Sequence, residues 1–286
     1  MLVDEKLERE SKTKTPVNNR SFCFTLKYSM ILPMDNKIIE TENSKAWETL
    51  YLRQYSSGGT FLPAWGVYSS GSELTQDLLK LEGNRVLEIG CGIGESIPYV
   101  LQNKPLQYIG LDFSEHALEQ AKGKNQSEEV SFVQVDMSKE LPFDEKYFDE
   151  IFSVYAIGWS QDIKKSLSEI YRILKPGGTF TFSWDHYLAR VVDEEGGKIV
   201  FQKSYNVEEP TVRHDWNHTG HDIQSMQAKP STWFQLLRGA GFEVTFFHEI
   251  AVSGNIDEKH VFSNTYSENR SKIIPFSILM QAKKPL

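Results

Sequence analysis

The sequence predicts an α/β fold with a doubly wound, seven-stranded, mostly parallel sheet that closes in a C-terminal antiparallel hairpin. From residue 86 onward, short apolar runs alternate with segments of helical periodicity, as in parallel sheets with crossover helices. The first apolar run ends in three glycines at alternate positions, which indicates a sharp backbone turn. Two final strand-like runs, residues 242–248 and 273–282, have no predicted helix between them and therefore predict the hairpin.

Each element follows from a local pattern. Parallel strands are predicted at residues 86–89, 107–111, 130–135, 148–154 and 179–184. Helices are predicted at residues 43–55, 72–81 and 231–240, and after the capping residues Ser114 and Asp162. The Lys-Pro-Gly-Gly segment at 175–178 is expected to end the helix that Asp162 begins, because proline cannot continue a helix.

The chain is predicted to contain an extension and one main domain. Residues 1–42 form the extension, partly disordered because its first twenty residues are mostly charged and polar. Residues 43–286 form the domain, whose first helices are expected to act as a lid. The strand–helix rhythm breaks after residue 185, which predicts an insertion at about 186–230. Met34 is a candidate alternative start.

Composition limits the classes of partner. The 286 residues carry a formal net charge of −8, which argues against a broad surface for nucleic acid. No run is apolar enough to span a bilayer. Cys23 and Cys91 are the two cysteines of the sequence and indicate no disulfide framework. We therefore expect a cytoplasmic protein with neither nucleic acid nor a membrane as partner, while its oligomeric state stays unknown.

The most informative motif is the first strand with its glycines. Residues 86–94 read Val-Leu-Glu-Ile-Gly-Cys-Gly-Ile-Gly, with Glu88 two positions before the first glycine. Asp112 and Asp136 follow the next two predicted strands, at the sheet edge where open α/β sheets bind ligands. Together with the Lys-Pro-Gly-Gly segment and the closing hairpin, this arrangement resembles the class I S-adenosylmethionine-dependent methyltransferases, over about residues 45–284. The resemblance implies a Rossmann-like methyltransferase fold and S-adenosylmethionine as the cofactor.

The resemblance also implies how the adenosine end is held. Asp112 would accept hydrogen bonds from both ribose hydroxyls, and Asp136 would accept one from the adenine amine. The backbone of Met137 would meet a ring nitrogen, and Phe113 and Met137 would flank the adenine. Taken alone, Asp112 is as consistent with a helix cap or a turn residue, although Ser114 is the better cap.

The methionine end of the cofactor has its own implied contacts. Ser153, near the end of the fourth strand, would lie beside the methionine portion. Glu88 would hold either the glycine loop or the amino group of the methionine tail. The loop residues implied in cofactor binding are Gly90, Cys91, Gly92 and Gly94.

Two other functions fit parts of the pattern. A nicotinamide-dependent oxidoreductase also uses glycines after its first strand, but its fingerprint needs a third glycine at the position of Glu95. A carboxylate there would repel a pyrophosphate. A non-catalytic S-adenosylmethionine-binding protein would share all of the cofactor residues. Cofactor-binding experiments distinguish an oxidoreductase from a methyltransferase, and a turnover assay distinguishes a non-catalytic binding protein from an enzyme.

In this family the acceptor pocket is formed by the N-terminal helices, the end of the fourth strand and the insertion after the fifth, so the resemblance implies that residues 186–230 shape the acceptor site. Aromatic residues are dense in these regions, and we therefore expect a small organic acceptor. The aromatic candidates are Trp47, Tyr51, Tyr55, Phe61, Trp65, Tyr68, Tyr155, Trp159, Trp184, Tyr187, Trp216 and Trp233. His186 follows the fifth strand directly and is the first candidate for a general base, with Tyr155 as the second catalytic candidate. Each aromatic residue, considered singly, is more often a packing residue.

Two departures narrow the catalytic options. Many small-molecule methyltransferases carry a histidine after the fourth strand, where this chain has Gly158, so no base is inherited at that position. The segment 214–222 contains His214, His218 and His221, but their spacing fits no metal-ligand motif. We therefore predict no metal site, and His218 or His221 is more plausible as a base than as a ligand.

Overall fold

The computed structural model describes residues 36–52, 65–66, 74–250 and 268–286, all within a compact unit that spans residues 34–286. Its strands are β1 (Arg85–Ile89), β2 (Gln107–Asp112), β3 (Val130–Gln134), β4 (Phe148–Val154), β5 (Leu174–Asp185), β6 (Val192–Glu195), β7 (Lys198–Phe201), β8 (Thr211–Arg213), β9 (Ile223–Ser225), β10 (Glu243–Ile250) and β11 (Ser277–Lys283). Its helices are α1 (Asn36–Leu52), α2 (Thr75–Leu78), α3 (Ile97–Gln102), α4 (Glu115–Lys124), α5 (Ile163–Ile173), α6 (Leu188–Val191), α7 (Pro230–Gly239) and α8 (Glu268–Ser271).

Seven strands form one sheet in the order β10-β11-β5-β4-β1-β2-β3. The strands from β1 to β5 pair in parallel, whereas β11 is antiparallel to both β5 and β10. This confirms the predicted sheet and its closing hairpin. Strand order reverses between β4 and β1, so the ligand crevice of such a sheet lies beyond the carboxyl ends of these strands.

Apolar side chains cover both faces of the sheet. One face packs Leu87, Ile151 and Phe182 against α5 and α7, and the opposite face buries Tyr108 and Phe152. Strands buried on both faces explain the continuous apolar runs in the sequence. The two faces fix the sheet rigidly, so residues at strand ends are held in defined positions.

The two helix caps that the sequence predicts are present in the structure. The Ser114 hydroxyl accepts a hydrogen bond from the amide of Ala117 at the start of α4, at 3.0 Å. The Asp162 carboxylate accepts one from the amide of Lys165 at the start of α5, also at 3.0 Å. Both side chains satisfy backbone donors that the first helical turn leaves without partners.

Several predicted boundaries are wrong, and among the described residues the first two helices span Asn36–Leu52 and Thr75–Leu78, where the sequence predicts 43–55 and 72–81. Helix α5 ends at Ile173, so the Lys-Pro-Gly-Gly segment lies inside β5, because the residue before Pro176 favours an extended backbone. Strand β11 begins at Ser277 rather than at residue 273, and Pro275 precedes it. The short helix α8 lies between β10 and β11, where no helix was predicted.

The insertion consists of small antiparallel hairpins. Strands β6 and β7 form one and β8 and β9 the other, and α6 precedes both. The proposed end of the N-terminal extension, at residue 42, falls within α1, while residues 1–35 lie outside the described part of the chain. In the residues that the structure describes, no helix is long and apolar enough to cross a membrane.

Candidate cofactor and acceptor site

The glycine bend after β1 has the backbone conformation that its sequence predicts. Gly90, Gly92 and Gly94 have φ values of 72°, 51° and 77°, in the left-handed region that other residues rarely adopt. A Cβ on Gly90 would lie 2.2 Å from the Cβ of Ala156. The bend therefore requires glycine on both conformational and steric grounds.

Asp112 closes β2 and holds the glycine bend. Its Oδ2 accepts a hydrogen bond from the amide of Gly92, and its Oδ1 accepts one from the amide of Ser114, both at 2.9 Å. The residue is only 5% exposed, and this burial raises the pKa of the carboxyl to about 6, while the two amides act in the opposite direction. Each carboxylate oxygen can accept a second hydrogen bond. Asp112 thus presents two fixed acceptors beside the bend.

Glu88 supports the bend from inside the sheet. Its Oε2 accepts a hydrogen bond from the hydroxyl of Tyr108 at 2.6 Å and a short one from the hydroxyl of Ser96, just before α3. Burial raises the pKa of the Glu88 carboxyl to about 7. Among the two roles predicted for Glu88, this geometry agrees with holding the loop.

The residues implied in adenine binding lie next to Asp112. Strands β2 and β3 are parallel neighbours, and the amide of Val135 donates to the carbonyl of Asp112 at 3.0 Å. Asp136 follows directly, and its Oδ1 accepts a hydrogen bond from the amide of Ser138 at 2.7 Å. Met137 is buried, and Phe113 is half-buried after β2. The structure therefore brings Asp112, Phe113, Asp136 and Met137 to one edge of the sheet.

Ser153 and Tyr155 mark the carboxyl end of β4. The Ser153 hydroxyl is fully buried and has no hydrogen-bond partner. Tyr155 has a φ of 50°, a strained value for a residue with a bulky side chain. Its hydroxyl makes a short hydrogen bond with the hydroxyl of Ser277 at the start of β11. Tyr155 thus turns the chain sharply beside the point where strand order reverses.

His186 is less well placed for catalysis than its sequence position predicts. Its Nδ1 accepts a hydrogen bond from the amide of Leu188 at 3.0 Å, and its Nε2 lies 2.7 Å from Oε1 of Glu249 on β10. Burial lowers the pKa of His186, although Glu249 raises it in part. Strand β10 lies on the side of β5 away from β4, so Nε2 is engaged on that side, and Nδ1 is engaged by the first residue of α6. A base would need one of them to be released.

Helix α1 lies across the glycine bend as a lid. The hydroxyl of Tyr51 lies 2.8 Å from the position that a Cβ on Gly92 would occupy. Trp47 contacts the 3-10 helix after β4 and the insertion, with ring centroids 5.6 Å from Trp159 and 4.6 Å from Trp216. This predicted lid is thus built from one helix and two distant segments.

Sequence reasoning missed the polar contacts of this lid. Glu48 on α1 raises the pKa of Asp112, and its Oε2 lies 2.5 Å from Nδ1 of His116 on α4. Asn43 exchanges two hydrogen bonds of 2.7 Å with the backbone of Gln224 on β9. No local signal in the sequence marks these pairs, because their partners are far apart along the chain.

A steric conflict explains why residue 158 is a glycine. A Cβ on Gly158 would lie 1.9 Å from Cε2 of Trp184, whose indole fills the adjoining space and donates to the carbonyl of Met226 at 2.9 Å. The same segment is tied down because the amide of Met226 donates to the carbonyl of Gly158. Trp184 thus occupies the space that a histidine at position 158 would need.

The aromatic candidates do not form a single pocket. Trp65 packs on the opposite face of the sheet, 6.3 Å from the ring of Phe152, and Trp233 is in the main core against Phe182. Tyr55, Phe61 and Tyr68 lie outside the described residues.

The histidines of the insertion pair separately with acids rather than with one another. His214 contacts Asp222, His218 contacts Asp215, and His221 contacts Glu42 of α1. Over the described ranges, no three metal-ligating side chains come together.

Comparison with known proteins gives three findings. Residues 87–182 match the family model described as a methyltransferase domain. Phthiotriol/phenolphthiotriol dimycocerosates methyltransferase of Mycobacterium tuberculosis is 32% identical over 110 residues, which cover 38% of this chain and 40% of that protein. Fatty-acid O-methyltransferase of Mycolicibacterium smegmatis is 34% identical over 104 residues, or 36% of this chain and 38% of that protein.

A solved structure extends the likeness beyond that segment. A putative S-adenosylmethionine-dependent methyltransferase from Listeria monocytogenes superposes with a TM-score of 0.63 at 23% identity, covering 76% of this chain and 98% of the other. At this identity the likeness concerns the fold. The chain spans about two fifths of the length of the curated relatives it matches.

Proposed function

We propose that this chain, a member of the class I S-adenosylmethionine-dependent methyltransferase family, transfers a methyl group from S-adenosylmethionine to a small organic acceptor. The observation that carries the proposal is the left-handed glycine bend that Asp112 fixes through the amide of Gly92. This bend lies where strand order reverses, which is the binding crevice of an open α/β sheet.

The residues at the crevice fit this cofactor. Asp112 offers two oriented acceptors, as the ribose diol requires, and we assign Asp136, Met137 and Phe113 to the adenine. The glycines let the backbone turn sharply at the crevice, and the hydroxyl of Tyr51 lies 2.8 Å from the position that a Cβ on Gly92 would occupy, so a ligand at the bend would meet the lid. We assign Ser153 to the methionine portion, because its buried hydroxyl near the end of β4 has no hydrogen-bond partner among the described residues. Acidic residues suit a sulfonium and would repel the pyrophosphate of a dinucleotide.

Methyl transfer requires little of the protein beyond the alignment of the acceptor with the cofactor. S-adenosylmethionine, when bound, supplies a methyl group on a sulfonium that is already an excellent leaving group. The residues of the chain must therefore position the acceptor and exclude water. We assign water exclusion to Trp47, Trp159 and Trp216, which join the lid to the sheet edge and the insertion.

We propose that the acceptor molecule is apolar. The lid side of the crevice is lined by indole rings, which favour hydrocarbon or ring-containing molecules. The names of the two curated relatives also refer to lipid molecules, which supports testing fatty acids first. The atom that receives the methyl group is left to the test.

Tyr155 and His186 remain the catalytic candidates. We assign Tyr155 the orientation of the acceptor, because its strained backbone lies at the carboxyl end of β4 beside the crevice. The predicted base, His186, would act only after Nδ1 releases the amide of Leu188. The low cysteine count supports a cytoplasmic location, and the acidic charge supports acceptors other than nucleic acid.

The cofactor assignment is tested by isothermal titration with S-adenosylhomocysteine and, separately, with NAD. We expect S-adenosylhomocysteine to bind and NAD not to bind. Asp112→Ala should weaken binding by about a hundredfold or more, because two charge-assisted hydrogen bonds are lost. Asp144→Ala, at an exposed aspartate outside the crevice, is the matched control. NAD binding without a response to S-adenosylhomocysteine would overturn the proposal.

Turnover separates an enzyme from a binding protein. Purified protein, S-adenosylmethionine and a panel of fatty acids and sterols are incubated, and released S-adenosylhomocysteine is measured. Product that forms with an acceptor, and not with Asp112→Ala, would support catalysis. Tight cofactor binding without any product across the panel would favour the non-catalytic alternative.

A further inference from the structure

The insertion lines an open cavity that shares no residue with the cofactor site. Its volume is about 350 Å³, within the range of small-molecule sites. Its walls come from α6, the turn after β7, the start of β8 and the segment between β9 and α7. None of the residues assigned to the cofactor lines it.

One wall of this cavity carries an unmatched buried polar atom. Gln227 is 5% exposed, and its Nε2 donates to the hydroxyl of Ser225 at 3.0 Å. Its Oε1 is buried and has no hydrogen-bond partner among the residues that the structure describes. A buried amide oxygen without a donor costs free energy, so a ligand with an N–H or O–H group would complete it.

Opposite charges line the same cavity without pairing. Lys203 and Glu209 are both exposed cavity residues, and neither forms an ion pair within the described part of the chain. The guanidinium of Arg190 also lines the cavity, but it is held by the carboxylate of Asp185. Lys203 therefore offers a partner for an anion, and Glu209 offers one for a cation.

The rest of the wall is apolar enough for a short hydrocarbon body. Val191 and Val207 line the cavity together with the side of Tyr187, whose hydroxyl is turned to the carbonyl of Val207. A ligand that satisfies every feature carries a carboxylate, an ammonium and a small apolar body.

We propose that the insertion cavity binds a small amino-carboxylate molecule, with Lys203 contacting the carboxylate and Glu209 and Gln227 contacting the ammonium group. Both charges of such a zwitterion meet their opposites, whereas a simple acid or a simple amine leaves one cavity charge unmatched. The site does not depend on methyl transfer, since it shares no residue with the cofactor crevice.

The test is calorimetric titration with three molecules of one chain length: norleucine, hexanoate and hexylamine. Norleucine should bind about tenfold more tightly than either analogue, because each of them lacks one charge-assisted contact. Lys203→Ala should weaken the binding of norleucine about tenfold and leave the binding of hexylamine unchanged. Glu209→Gln should weaken norleucine and leave hexanoate unchanged.

Lys198→Ala is the matched control, because this lysine is exposed on the neighbouring hairpin and does not line the cavity. Circular dichroism and S-adenosylhomocysteine titration establish that each variant is folded. Absence of norleucine binding, equal binding of hexanoate, or equal losses in Lys203→Ala and Lys198→Ala would each overturn the proposal. Labelled S-adenosylmethionine then tests whether the two sites are separate, because transfer of label to norleucine would place it beside the cofactor and overturn the proposal.

Discussion

The two halves of the sheet edge are built in different ways. On the β1–β2–β3 side, the glycine bend, Asp112 and Asp136 lie at the carboxyl ends of strands, and backbone amides no more than about twenty residues away hold the two acids. On the β4–β5 side, Tyr155 and His186 depend on partners more than sixty residues distant, Ser277 and Glu249.

Because of this difference, the sequence predicts the β1–β2–β3 side of the edge more fully than the β4–β5 side. A cofactor with fixed chemistry can be held by a fixed local motif. The acceptor side is completed by α1, by the insertion and by the closing hairpin, which are brought together only in the folded chain. Changes on the acceptor side should therefore affect packing and turnover, whereas changes on the cofactor side should affect binding.

The largest effect on stability is expected from Gly158→Ala on the acceptor side. Its Cβ would overlap the buried indole of Trp184, so the free energy of unfolding should fall by about 2–3 kcal/mol. Urea denaturation measures this change. Gly123→Ala in α4, where a Cβ meets nothing within 4 Å, should instead stabilise the protein. Equal stability of Gly158→Ala and the parent would contradict the steric explanation.

Cofactor binding should depend on pH through Asp112. Burial raises the pKa of this carboxyl to about 6, and the ribose contacts require its ionised form. Affinity for S-adenosylhomocysteine should therefore be constant above that pKa and fall below it, by up to about tenfold per pH unit. Titrations at about pH 7.5, 6 and 5 measure the change. Asp112→Asn should bind weakly with a smaller pH dependence, and an unchanged slope would assign the effect to another group.

Tyr155 and His186 can be ranked by turnover. Tyr155→Phe should lower kcat by about fivefold, since the hydroxyl that is bound to Ser277 helps to hold the ring. His186→Gln should change kcat by less than about twofold, because both ring nitrogens are engaged elsewhere. A general base contributes about a hundredfold or more. A loss of that size in His186→Gln, at unchanged stability, would restore the base role predicted from sequence.

The smallest effect concerns Glu150, a buried carboxyl on β4. Burial raises its pKa to about 8, against a hydrogen bond of 2.6 Å from Thr179. The folded state thus binds the Glu150 proton more tightly than the unfolded state, so this stabilising contribution is complete below about pH 4.5 and is lost as the pH rises to about 8. The free energy of unfolding of Glu150→Gln relative to the parent should therefore rise between pH 6 and 9, as measured by urea denaturation.

Glu169 is the matched control for that measurement. Its side chain pairs with Arg172 at 2.8 Å, which lowers the pKa of the Glu169 carboxyl to about 2. Its contribution is therefore present above about pH 4.5 and lost only as the pH falls toward 2. Glu169→Gln should destabilise the protein equally at pH 6 and 9. A relative gain for Glu169→Gln between these pH values would show that the Glu150 result is not specific.

Sequence patterns predicted the elements better than their ends. Strand β4 was predicted residue for residue, and the caps of α4 and α5 were identified, because each depends on neighbours in the chain. The end of α5 was misplaced because the extended residue before Pro176 joins β5 earlier than the glycines suggest. The hairpins of the insertion were not predicted, since their short strands carry little periodicity.

By itself the sequence determined the alternation of elements, the glycine bend and the acids at the ends of β2 and β3, because backbone conformation and strand direction are local consequences of residue type. Only the tertiary structure decided that α1 covers the bend, that Trp184 excludes a side chain at Gly158, and that Glu249 engages His186. Those outcomes depend on which distant side chains compete for the same space or the same hydrogen bond, and spacing along the chain does not specify this.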